Sequence, residues 1–120
     1  MKGIHSPITG VVYPLAQRAT EYFANDAWVD ATVGHILRET TQRYPERIAF
    51  ICDDASLTFA ELDETSERLG AALLEMGLNT GDRAIFQLGT SLQTVIVLMA
   101  CFKAGIVPVC SLPQHREVEI

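Results

Sequence analysis

Groups that could do chemistry are thinly spread along these 120 residues. His5, His35 and His115 fall in three separate segments, with no H-x-x-x-H or His/Cys spacing of the kind that seats a metal. No metal ligand is assigned on that basis. Cys52, Cys101 and Cys110 are odd in number, sit in apolar surroundings and form no C-x-x-C, the pattern of reduced, buried thiols. Neither G-x-x-x-x-G-K-[ST] nor G-x-G-x-x-G occurs, so both common phosphate-cradling loops are missing. The nearest substitute is Gly89-Thr90-Ser91, between a strand and a helix, where backbone amides either hold an anion or simply open a capped helix. His115-Arg116 follows a strand by way of Leu112-Pro113. That basic pair meets a phosphate or carboxylate, or stays solvated at a helix start. Gly89, Thr90, His115 and Arg116 are therefore the candidate binding residues. Glu61, Asp63, Glu64 and Glu67 are spread around one helix whose first turn favours negative charge, and are not paired across a cleft. No catalytic residue is assigned.

The elements that must position these groups follow from periodicity and punctuation. Residues 1–12 read as an N-terminal arm, with Gly3, Pro7 and no periodic pattern over Met1 to Thr9. A helix is predicted from Pro14 to Ala24, with Leu15, Ala19, Tyr22 and Phe23 at helical spacing. A second helix, capped by Asp30 or Thr32, carries Val33, Ile36 and Leu37 and stops at Tyr44-Pro45. Arg47 to Cys52 is a short strand, Asp53-Asp54-Ala55 a turn, and Ser56-Leu57 a brief returning strand. Thr58-Phe59-Ala60-Glu61 is a capping box for a third helix, with Leu57 and Leu62 as its hydrophobic staple. Leu62, Leu69, Leu73 and Met76 form its apolar stripe, and Gly77-Leu78 closes it in a Schellman-type cap. Ala84 to Leu88 is a strand, followed by a fourth helix with Thr90 and Gln93 at capping-box spacing and apolar residues on nearly every side. Gly105 ends that helix and Ile106 to Cys110 is the next strand. Strand, crossover helix and strand make a βαβ unit with parallel strands and a right-handed crossover. His115 to Ile120 begins another helix. The fold class is α/β: a partial layered sheet of three to four strands, mostly parallel, with helices packed on it.

Composition bounds the function. A net charge of -6 with only nine Lys and Arg argues against nucleic acid or an anionic membrane as partner. The hydrophobic fraction of 48% supports a core. The longest apolar run, Val95 to Phe102, is far short of the roughly 20 residues that span a bilayer. With no basic, hydrophobic leader at the start, a cytoplasmic location is expected.

Two segments are more specific. Leu57-Thr58-Phe59-Ala60-Glu61-Leu62 resembles the L-[TS]-[YF]-x-E-L motif of adenylate-forming enzymes. That family comprises acyl-CoA synthetases, aryl-acid ligases and nonribosomal peptide adenylation domains. Phe102-Lys103-Ala104-Gly105-Ile106-Val107-Pro108-Val109 resembles the family's second motif, K-A-G-x-x-x-V with a Pro, and Thr80-Gly81-Asp82-Arg83 between them resembles its G-D-R-V-A segment. Phe86-Gln87-Leu88-Gly89, Leu112-Pro113-Gln114-His115-Arg116 and Glu119-Ile120 look like the stand-alone aryl-acid AMP ligases of siderophore pathways, which activate 2,3-dihydroxybenzoate or salicylate. The stretch from Leu15 through Tyr22 to Trp28 is similar to their N-terminal arm.

The resemblance covers residues 13–120, which it implies are an incomplete N-terminal subdomain. For the parent enzyme it implies ATP and magnesium as cofactors and a two-step reaction. A carboxylic acid, aromatic by preference, gives an acyl-adenylate and pyrophosphate; the acyl group then passes to a thiol of CoA or of a carrier protein. Family members are several times longer, and their phosphate loop, nucleotide-binding residues, acyl pocket and catalytic lysine lie downstream of Ile120. The isolated chain is expected to be inactive, to bind no cofactor by itself, and to self-associate through apolar surface left uncovered. The alternatives are a non-catalytic module acting only by association, an acyl-CoA synthetase of a non-aromatic substrate, and a free-standing nucleotide-binding domain, the last weakened by the missing phosphate loop.

Overall fold

The computed structural model describes residues 9–115. The chain divides into two compact units, 1–31 and 32–120.

In the first unit the helix α1 spans Ala16–Ala24. Its N-cap is Leu15, without a side-chain cap, so Pro14 stands just outside the helix instead of in its first turn. At the other end Asp26 takes φ 60°, turning the chain back on itself. The Ala27 and Trp28 amides then donate to the Tyr22 carbonyl at 2.9 and 3.0 Å. That turn stacks Trp28 against Tyr22, ring centroids 4.9 Å apart, and edge-on to Phe23 at 5.7 Å.

The second unit runs α2 (Val33–Arg43), β1 (Ile48–Cys52), β2 (Ala55–Thr58), α3 (Phe59–Glu75), β3 (Arg83–Phe86), α4 (Leu92–Ala104) and β4 (Val107–Cys110). Of the two residues able to cap α2, Thr32 does so, its side chain accepting from the His35 amide at 3.2 Å. The capping box of α3 is complete: the Glu61 amide donates to Thr58 Oγ1 at 3.2 Å, and the Thr58 amide to Glu61 Oε2 at 2.8 Å. Glu61 is held below the ordinary glutamate range, first by the Thr58 amide and then by the Thr58 hydroxyl. The far end is a Schellman cap, with Gly77 at φ 101° and the Leu78 amide donating to Leu73 O at 3.2 Å.

Three expectations are corrected in detail. Met76 is 77% exposed, so the stripe of α3 does not run to its end. The buried line is Leu62, Ser66 and Gly70, successive fourth residues that face α4. Small residues win there because the helices approach closely: a Cβ on Gly70 would lie 3.1 Å from the Ala100 carbonyl oxygen. The cap of α4 is Ser91 rather than Thr90; Ser91 Oγ accepts from the Thr94 amide at 3.3 Å, while Thr94 Oγ1 donates to Gly89 O. And the strands pair two by two: β1 with β2 antiparallel, β3 with β4 parallel. The α/β class and the parallel βαβ unit stand. Joining all the strands into one sheet does not, because β1 and β2 satisfy each other across the Asp53-Asp54 turn, where Asp53 takes φ 52°.

The core sits between α3 and α4 and beneath α2, with Leu37, Leu62, Ala100, Cys101, Ile106 and Ser66 all buried. Although α4 is apolar on nearly every side, only Ala100 and Cys101 of it are fully buried; Gln93 and Phe102 are exposed, Phe102 by 38%, and the rest is half-buried. Among the described residues no helix is long and apolar enough to cross a membrane.

Candidate functional site

The ends of the βαβ unit differ in what they can do. At the N-terminal ends of β3 and β4 the recognisable motif residues lock together. The Gly81 amide donates to Gly105 O at 2.8 Å and the Val107 amide to Asp82 O at 2.8 Å. Gly105 takes φ 72°, and a Cβ there would meet Thr80 Cγ2 at 2.9 Å. Asp82 Oδ2 accepts from the Asn79 amide at 2.7 Å. The T-G-D-R and K-A-G segments are thus two halves of one clasp.

Lys103 makes a second clasp. Its stem passes under Gly34 of α2, whose added Cβ would sit 3.2 Å from Lys103 Cγ. Its ammonium, 3% exposed, reaches Asp63 Oδ1 at 2.5 Å and Glu67 Oε2 at 3.2 Å, and donates to Asp63 O at 2.7 Å. Arg38 adds a longer contact to Glu67 at 3.8 Å. The acidic residues of α3 therefore anchor a lysine forty positions away, which spacing along the chain does not reveal.

At the C-terminal ends of the strands lies an open cleft of about 330 Å³, lined by Leu88, Gly89, Thr90, Ser91, Thr94, Val95 and the run from Cys110 to Pro113. This is where open α/β sheets take their ligands. Gln87, not singled out from the sequence, ties its far wall: Nε2 donates to Leu112 O at 2.7 Å and to His115 O at 2.9 Å. The Ser111 amide donates to Phe86 O at 2.9 Å, and Ser111 Oγ shares a hydrogen bond with His115 Nδ1 at 3.0 Å. Cys52 Sγ abuts Thr90 O at 3.6 Å.

Of the candidate residues, Gly89 and Thr90 line this cleft and His115 braces its wall, in a turn rather than a helix. Arg116 and the helix expected from His115 onward lie outside the described residues. The lining is apolar with a hydroxyl rim, and among the described residues it contains no carboxylate, lysine or arginine. Among the described residues no group of three or more His, Cys, Asp or Glu could hold a metal ion. A magnesium–triphosphate needs anionic ligands for the metal and cations for the phosphates, so this donor set does not fit one. The arrangement shapes a boundary and braces a loop.

Comparison with known proteins places these features. The family model described as AMP-binding enzyme matches residues 37–120. The chain is 36% identical over 111 residues to the salicyl-AMP ligase / salicyl-S-ArCP synthetase of Mycobacterium tuberculosis, covering 88% of this chain and 20% of that protein. It is 35% identical over 102 residues to the 2,3-dihydroxybenzoate-AMP ligase of Bacillus subtilis, covering 85% and 19%. The apo structure of MbtA from Mycobacterium smegmatis superposes with a TM-score of 0.85 at 35% identity, over 92% of this chain and 21% of that one. The chain spans about a fifth of the length of the curated relatives it matches.

Proposed function

Because the chain belongs to the AMP-binding enzyme family, we propose that residues 13–120 form the first part of the large N-terminal domain of a carboxylic-acid-activating ligase. The reaction of the whole enzyme is the attack of a carboxylate on ATP, giving an acyl-adenylate and pyrophosphate, followed by transfer of the acyl group to a thiol of CoA or a carrier protein. An aryl acid of the salicylate or 2,3-dihydroxybenzoate kind is the favoured substrate, and the cytoplasm the favoured location. The observation that carries the reading is the match to two aryl-acid AMP ligases over 85–88% of the chain. ATP and magnesium are held by parts of the enzyme other than the cleft described above. This segment's contribution is the scaffold: the two clasps that fix β3, α4 and β4 against α3.

A chimera tests this. The corresponding segment of the M. tuberculosis salicyl-AMP ligase is replaced by residues 13–120, and salicylate-dependent ATP–pyrophosphate exchange is measured. Exchange above a no-acid control is expected, while the isolated chain shows none. A chimera that folds, by circular dichroism and melting, yet exchanges nothing overturns the assignment.

The isolated chain is also proposed to self-associate. Ile85, Val107, Val109, Phe102 and Leu112 are each more than a third exposed, and apolar surface gathered on one βαβ unit favours a partner. Light scattering over a dilution series checks this: a monomeric mass at every concentration refutes it.

A further inference from the structure

We infer that Gln87 is a positioning residue of the reaction proposed above: it fixes the 112–115 turn as one wall of a cleft that receives a neutral, apolar part of a reactant. The inference rests on the ligase reading.

Gln87 directly follows β3, at the strand end where open α/β sheets take their ligands. Its Nε2 group carries two N–H donors, and both find backbone oxygens, Leu112 O at 2.7 Å and His115 O at 2.9 Å. Two carbonyls can face only the nitrogen end of an amide, so the orientation of this side chain is settled. The turn it grips has few donors of its own. The His115 amide closes it on Leu112 O at 3.0 Å, and Pro113 has no N–H to add. Ser111 supplies the remaining ties, its amide donating to Phe86 O at 2.9 Å and its hydroxyl bonding His115 Nδ1 at 3.0 Å. Every partner in this brace lies between Phe86 and His115, so it stands whichever surfaces the rest of an enzyme covers.

The chemistry of the cleft narrows what the wall meets. Leu112 and Pro113 line it together with Leu88, Gly89 and Val95. Such a lining suits neither a triphosphate nor a carboxylate, both of which take cationic partners. The neutral parts of the proposed reactants are the ring of an aryl acid and the thiol-bearing arm of the acceptor. A wall that shifts weakens the hold on such a group in ground state and transition state alike, which raises KM and leaves kcat. A purely structural role would lower the active fraction instead, and so kcat at constant KM. Gln87 is itself exposed, so its variants are expected to fold.

The test uses the chimera described above, with residues 13–120 set into the M. tuberculosis salicyl-AMP ligase. Gln87→Met keeps the length and loses both donors, Gln87→Glu keeps the shape and cannot donate, and Gln87→Lys can donate to the same two carbonyls. KM and kcat are measured for salicylate and ATP in ATP–pyrophosphate exchange, and for ArCP in salicyl-S-ArCP formation, well below each variant's melting temperature. Gln87→Met and Gln87→Glu are expected to raise KM about fivefold or more for salicylate or for ArCP, with kcat and the KM of ATP within about twofold, and Gln87→Lys to stay near the unmutated chimera. A rise for salicylate assigns the ring to the cleft, and one for ArCP the thiol-bearing arm. Unchanged KM for both, a matching rise for ATP, or no rescue by Gln87→Lys overturns the inference while the ligase reading stands. An unmutated chimera that folds yet exchanges nothing overturns both.

Discussion

Replacing Lys103 by methionine removes the ammonium while keeping the stem that packs under Gly34. Three contacts vanish together: those to Asp63 Oδ1 at 2.5 Å, Asp63 O at 2.7 Å and Glu67 Oε2 at 3.2 Å. Deleting one member of a fully buried ion pair costs about 3–5 kcal/mol, chiefly from the charge left behind. Here the carboxylates keep water, Asp63 at 28% exposed and Glu67 at 61%. The cost therefore falls to about 2 kcal/mol, the scale of hydrogen bonds to a charged group. With a urea slope of about 1.5 kcal/mol/M, the midpoint drops by roughly 1.3 M. Urea unfolding followed by far-UV circular dichroism, at one low protein concentration, reads this directly. Adding Asp63→Asn to the variant should cost less than the two changes summed, because no charge is then stranded. A midpoint shift under about 0.3 M at equal slope would refute the idea that Lys103 joins the helices.

Other expectations are narrower. Thr58→Ala should cost about 1 kcal/mol through the lost cap of α3, and coincident urea midpoints would rule that out. The depressed Glu61 carboxyl contributes stability that is present above the ordinary glutamate value near 4.5 and is lost as pH falls through its lower folded value. Glu61→Gln should accordingly show a shallower acid limb in melting temperature against pH, and identical limbs would contradict the capping-box geometry. Gly105→Ala meets both a left-handed backbone at φ 72° and Thr80 Cγ2 at 2.9 Å, for a loss of about 1–2 kcal/mol. Thr80→Ser should recover part of it, and no recovery would show that backbone strain alone is responsible. Alkylation followed by mass spectrometry should find exposed Cys110 modified before Cys101, whose thiol is pushed up by burial first and the neighbouring Cys110 second; the reverse order would mean α4 opens readily.

What could be read from the chain alone was what the chain decides within a few residues. The Thr58–Glu61 box and the Gly77–Leu78 cap bond groups at most five positions apart, and both stand as expected. Thr90 and Gln93 satisfied the same spacing and were a decoy, because Ser91 one position on offered an equally good oxygen and a better approach to Thr94. Lys103 with Asp63, and Gln87 with the 112–115 turn, join residues 25 to 40 apart; only packing brings them together. The same holds for strand pairing. Short apolar strands announce themselves, but whether β1 prefers β2 or the parallel pair is a contest between distant edges. At the candidate cleft, Gly89 and Thr90 were visible as a strand-to-helix junction, while the wall opposite depended on Cys110 to Pro113 folding back.

The lysine stem beneath Gly34 also constrains how this sequence can drift. A Cβ introduced at position 34 would lie 3.2 Å from Lys103 Cγ and 3.4 Å from Lys103 Cα, so the lysine stem must give way by a few tenths of an ångström. A smaller residue at 103 leaves the Asp63 carboxylate with only the water it already meets, at a cost that a neutral residue at 63 or another cation would relieve. Three positions on three helices are thereby yoked, although each pair is separated by at least 29 residues of sequence. Single substitutions at any one of them should be poorly tolerated and compensated triples well tolerated, so a substitution library scored for folding would reveal the yoke as a three-way epistasis rather than as three independent preferences.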